Sequence, residues 1–209
     1  MAKVKQAFQG YFWDNLILFI TAAFIFSLSA ALGVFAVGIL QETQILELQD
    51  YLDIFLLGLK GEIYLEPPEI IRNSLNQNLK LLFFLWLLGI TMLGIPGAIF
   101  ILGLKGFTLG FTFTFIFQQF SLNGLLFALG ALLPQNIFII PALLTAAVAC
   151  ISFSLLQIHS RLGRKPFHFW PNLGNYTALF AVLMVLVLVG SLVEGYITTV
   201  FIRLTVGIL

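Results

Sequence analysis

Four long stretches of this 209-residue chain carry no charge, and their lengths decide most of what the chain can fold into. No Asp, Glu, Lys or Arg interrupts the 27 residues between Asp14 and Glu42, the 24 between Lys80 and Lys105, the 55 between Lys105 and Arg161, or the 28 between Lys165 and Glu194. A helix that crosses the hydrocarbon core of a bilayer needs about 20 apolar residues, so each stretch holds at least one span. Charged residues make up 9% of the chain, against roughly 25% in a soluble domain. The sequence therefore describes an all-α integral membrane protein, and soluble enzyme folds are excluded. A net charge of +1 leaves no nucleic-acid footprint, and the single cysteine, Cys150, cannot form a disulfide within one chain.

Residues 16–40 are too long an apolar run for a signal-peptide core of roughly 7–15 residues, so they read as a retained first span. Ahead of it, in 1–15, Val4, Ala7, Phe8, Tyr11 and Phe12 fall at helical spacing with Lys3 and Lys5 among them. That pattern predicts a short interfacial helix. A second span over 79–103 is expected to kink at Pro96, with Lys105-Gly106 marking the turn into a third span over 106–120. The 55-residue gap is too long for one helix. Its text predicts a re-entrant half-helix over 125–133 that stops at Pro134, then a full span over 137–159. Gln135 and Asn136 would satisfy the backbone groups that the stop exposes. The fifth span runs over 176–200.

The expected architecture is thus one membrane domain over 1–209: five transmembrane helices, a re-entrant half-helix and an extracytoplasmic amphipathic helix. Positive charge marks the cytoplasmic side. With residues 125–133 re-entrant, Lys3 and Lys5 and the basic loop 159–175 (Arg161, Arg164, Lys165) all fall there. The loop 41–78 then lies outside, with seven acids against Lys60 and Arg72. Within it Ile45, Leu48, Leu52, Phe55, Leu56 and Leu59 recur at three- and four-residue steps, predicting an amphipathic helix that Pro67-Pro68 ends. Its apolar stripe, Ile45 to Leu59, either packs on the protein's own outer face or receives a partner.

Few residues offer chemistry. Glu194 is the one carboxylate inside an apolar run, and an ionisable group there costs about 2.5–3.5 kcal/mol at mid-depth. Its count along the span puts it level with Lys80, so either the two pair and clamp the second and fifth spans together, or Glu194 lies near the interface, wetted by headgroup water near Arg203. Lys105 reads as a snorkelling residue at the inner interface. Gly106-x-x-x-Gly110 and Ala142-x-x-x-Ala146 allow close helix approach. His159 and His168 have no converging ligands for a metal, no phosphate-binding loop is evident, and Gly190-Ser191 has no basic partner in its span. No catalytic, metal or cofactor-binding residue is expected, and no cofactor. Membrane lipid is the partner that composition implies, and self-association is left open.

The stretch Leu102-Gly103-Leu104-Lys105-Gly106-Phe107-Thr108-Leu109-Gly110-Phe111 resembles the signature of the stage II sporulation protein M family. The likeness continues through Gln118-Gln119-Phe120, Gly124 and Leu133-Pro134-Gln135-Asn136-Ile137-Phe138-Ile139-Ile140-Pro141-Ala142. It implies a non-enzymatic scaffold in the bacterial cytoplasmic membrane. Such a subunit would assemble with the cell-wall hydrolases called the stage II D and P proteins, thinning septal peptidoglycan as the membrane migrates in engulfment. Against this stands a reading from the residues alone, a small transporter or channel subunit that uses the broken helices at Pro96 and Pro134 and the buried Glu194.

Overall fold

The computed structural model describes residues 10, 12–59, 67–91, 93–163, 168–198 and 200. Helix is the only regular structure among them. The elements are α1 (Leu16–Val37), α2 (Glu42–Leu59), α3 (Pro67–Ile90), α4 (Gly94–Arg161), α5 (Phe169–Val193) and a π-helical turn, Glu194–Thr198. Four stretches are long and apolar enough to cross a membrane: Leu16–Val37, Gly94–Phe120, Gly124–Arg161 and Phe169–Ile197. The chain is a multi-pass membrane protein. The interfacial helix expected over 1–15 falls mostly outside the described residues.

The expected second span is not a kinked helix. α3 stops at Ile90, and the chain has reversed by the time α4 begins at Gly94. A helix end inside an apolar bundle leaves carbonyls that need donors, and they receive them from far along the sequence. Ser154 Oγ lies 3.2 Å from Gly89 O and 3.0 Å from Thr91 O, and Gln157 Nε2 donates to Gly89 O at 2.9 Å. Thr91 Oγ1 donates to Leu88 O. Pro96 therefore causes no kink. It sits in the first turn of α4, where its missing N–H would have had no intrahelical acceptor.

α4 runs for 68 residues, yet it cannot be a rod. Cys150 Sγ lies 3.4 Å from Gly94 O, whereas 56 residues of straight helix would separate them by about 84 Å. The fold-back lies between Ile116 and Gly124. A Cβ at Gly124 would sit 2.6 Å from Ile116 O and 2.9 Å from Phe120 Cβ, so the chain passes itself there at backbone distance. The result is two arms, Gly94–Phe120 and Gly124–Arg161, lying antiparallel. Gly163, at φ 69°, takes the left-handed conformation just past the end of the second arm.

Pro134 and Pro141 both lie inside the second arm. The half-helix expected to stop at Pro134 instead continues through it. Proline removes one hydrogen bond, at Pro134 the one to Gly130 O, and crowds the preceding turn; in an apolar setting nearby side chains add bonds to the carbonyls that follow. Gln135 Nε2 donates to Ala131 O at 3.1 Å and Asn136 Nδ2 to Leu132 O at 2.7 Å. Farther on, Thr145 Oγ1 donates to Pro141 O at 2.8 Å.

α3, both arms of α4 and α5 form a four-helix core. Ala142, Ala146, Ala147, Ala149 and Cys150 give the second arm a buried small-residue face, which lets neighbours approach closely where no hydrophobic force drives helix association. Tyr176 fills the gap toward α3 and donates from its hydroxyl to Leu85 O at 3.0 Å. At the end of the bundle that carries Arg161, Trp13 and Trp170 are 68% and 79% exposed, as aromatic anchors at a lipid–water boundary are. The opposite end carries the α4 fold-back and α2.

α1 packs outside this core against the first arm and runs in the same direction. Gly106 and Gly110 face it, and Gly33 answers from α1. A Cβ on Gly110 would stand 2.1 Å from Ala30 O, and one on Gly33 would stand 2.2 Å from Phe107 O. These backbones touch through glycine. Gly110→Val should therefore lower the midpoint of thermal unfolding in detergent by several degrees, since overpacking costs about 1–3 kcal/mol. Gly174→Ala, where an added Cβ meets nothing within 4 Å, should hold or raise the midpoint. Equal midpoints for the two variants would contradict this packing.

Candidate functional site

The reversal before Gly94 moves every residue after it relative to the expected spans, and Lys105 most of all. It lies 11 residues beyond Gly94, about 16 Å along the first arm, which is the middle of a crossing rather than its inner edge. Lys105, Thr108, Leu109 and Thr112 share one face of that arm at helical spacing, and Ser74, Gln77 and Asn78 share one face of α3. Leu132, Gln135, Asn136 and Ile139 do the same on the second arm. Together with Glu194, these faces line a half-open cavity of about 160 Å³.

Glu194 stands where α5 gives way to the π-helical turn, a widening of the helix found most often at functional sites. It accepts a hydrogen bond from the Ser74 hydroxyl. Ser74 Oγ is also 3.1 Å from Ser191 Oγ, and Asn78 Nδ2 donates to Ser74 O at 2.9 Å. Ser74, Asn78 and Ser191 are all buried, so this chain of polar groups ties α3 to α5 inside the bundle. Across the same cavity the opposite charges of Lys105 and Glu194 attract. In a low-dielectric interior each partner offsets part of the other's desolvation cost.

The clamp expected between the second and fifth spans thus exists with other members. Lys80 does not take part: it is exposed, two residues and about 200° round α3 from Asn78. Ser74 bonds to Glu194 instead, and Lys105 shares its cavity. Of the other residues singled out by sequence, Gln135 and Asn136 line the cavity, Pro134 is half-buried nearby in the same arm, and Pro141 is exposed. Pro96, Gly106 and Gly110 serve the backbone packing described above. Ser74, Gln77, Asn78, Thr108 and Thr112 escaped the sequence reading as site residues. Ser74 and Asn78 lie one turn apart on the helix that enters the apolar run, and that spacing is the signal that points to them.

On α2, Ile45 and Leu48 are half-buried, Gln49 donates to Gln119, and Leu52 packs on Ile116, Phe127 and Ala128 at the fold-back. The side chains of Phe55 and Leu59 lie outside the described residues. Leu46, Tyr51 and Ile54 are exposed on the other faces of α2. Among the described residues no three His, Cys, Asp or Glu side chains converge as metal ligands would.

Ser74→Val should leave Glu194 without its hydroxyl donor and destabilise the protein by about 1–3 kcal/mol. Lys80→Gln, on the exposed face, should stay within about 0.5 kcal/mol of the parent. Denaturant unfolding in micelles compares the two, and a larger loss for Lys80→Gln would refute the assignment of the clamp.

Neither a curated protein nor a solved structure matches the chain. The model of one family, described as Stage II sporulation protein M, matches residues 7–199. The match takes in α1 to α5 and the whole cavity, from Ser74 to Glu194. The chain belongs to the stage II sporulation protein M family.

Proposed function

We propose that the protein is a non-enzymatic membrane scaffold of spore formation that gathers cell-wall hydrolases at the bacterial cytoplasmic membrane. α1, α3, both arms of α4 and α5 make five crossings, and an odd number puts the termini on opposite faces. The basic cluster at 161–165 and the N-terminal lysines then face the cytoplasm, and α2 faces the wall. The observation that carries the reading is α2 itself. It leans on the fold-back through Gln49 and Leu52 and presents Leu46, Tyr51 and Ile54 outward among Glu47 and Asp50. A face on which apolar side chains alternate with carboxylates suits a protein partner better than an anionic lipid surface.

Crosslinked purification from native membranes should recover wall hydrolases, and Leu46→Asp with Tyr51→Asp should remove them from the eluate without lowering the amount of protein in the membrane. Recovery unchanged by the double substitution would overturn the reading. The polar cavity favours a second reading, a small transporter or channel subunit, because ionisable groups at membrane depth are usual in permeation pathways. Under it, proteoliposomes carry a solute flux that Glu194→Gln abolishes.

A further inference from the structure

The cavity is lined unevenly, and the imbalance indicates what it holds. The amide nitrogens of Asn78, Gln135 and Asn136 all donate to backbone carbonyls one turn earlier. A carbonyl can only accept, so the three amides are fixed in orientation, and each presents its oxygen as an acceptor beside any N–H it has left. Asn78 Oδ1 is buried with no hydrogen-bond partner, on a side chain only 6% exposed. A buried acceptor without a donor costs about 1–3 kcal/mol, so a native protein keeps one where something else supplies the donor. Asn78 is joined to Glu194 through Ser74, toward which it turns its Nδ2. On the first arm Lys105 and the Thr112 hydroxyl offer the opposite chemistry, a cation and a donor.

We infer that the cavity is a binding site for a small zwitterion carrying a primary ammonium and an anionic group. The ammonium takes Glu194 as its acceptor, and the carboxylate or phosphate takes Lys105 and Thr112. The ligand's net neutrality is part of the argument. Lys105 and Glu194 already balance, and adding an uncompensated charge at this depth costs several kcal/mol, whereas a dipolar guest adds none. The volume, about 160 Å³, equals about five waters' share of liquid, which suits a molecule of glycine or alanine size or the end of an aminoethyl-phosphate lipid headgroup. The inference rests on the cavity and holds whether the guest is carried across or only retained.

The full-length protein, purified in a maltoside detergent, is titrated calorimetrically with glycine and with phosphoethanolamine. Ethylamine and acetate serve as the two half-ligands. At least one zwitterion should bind saturably and at least tenfold more tightly than either half. Preference for glycine assigns a free amino acid, and preference for phosphoethanolamine assigns the headgroup. Glu194→Gln should weaken the zwitterion tenfold or more while sparing acetate, and Lys105→Gln should do so while sparing ethylamine. Thr112→Val keeps both charges and nearly the side-chain volume, so it should retain the fold and still weaken the zwitterion and acetate while sparing ethylamine. No saturable binding of either zwitterion, or a half-ligand that binds as tightly, overturns the inference. Binding that persists in a protein with no liposome flux removes the transport reading and leaves the site intact.

Discussion

A helix that ends inside an apolar bundle must find donors for its last carbonyls, and here they come from Ser154 and Gln157, more than sixty residues away along the chain. Without that cap, α3 would have no stable stopping point at Ile90 and would run on into the residues that now begin α4. Because it stops, the first arm of α4 starts again at Gly94 and carries Lys105 to mid-depth. The second arm must then return along the first so that Ser154 reaches the α3 terminus. The cavity follows from this arrangement, since the faces bearing Ser74, Lys105, Gln135 and Glu194 meet only when both reversals occur.

A second constraint acts on the fold-back. No proline stands between Ile116 and Gly124, and the chain turns there by close approach around Gly124 instead. Proline, the residue expected to break the helix, sits downstream at 134 and 141 in unbroken helix, its neighbours bonded by Gln135, Asn136 and Thr145 side chains. In water such prolines would stop a helix, but in a bundle the local polar side chains decide.

The charge-free stretches made the membrane class and the helical content legible, as did the first apolar helix and the amphipathic character of α2. What they could not disclose was where a long apolar run reverses, because nothing in the composition of 79–103 separates a kink at Pro96 from a reversal before Gly94. That depends on Ser154 and Gln157, which look in sequence like ordinary polar residues of another span. The misplacement of Lys105 follows directly, as does the choice of Lys80 as partner for Glu194. The pairing of distant spans was anticipated in kind. Its members depended on helical phase, which a shift of two residues alters by more than half a turn.

The glycine contact between α1 and the first arm also bears on the order in which the protein is made. Gly33 leaves the ribosome first, but Gly106 and Gly110, which receive it, follow some seventy residues later. During that interval α1 has no first arm to pack against, and its own apolar length suits it to the bilayer. α1 therefore joins a hairpin that forms after it, and its docking seals the outside of the first arm once Lys105 has already been carried into the membrane. The most expensive side chain to insert thus enters beside a helix that is already waiting there.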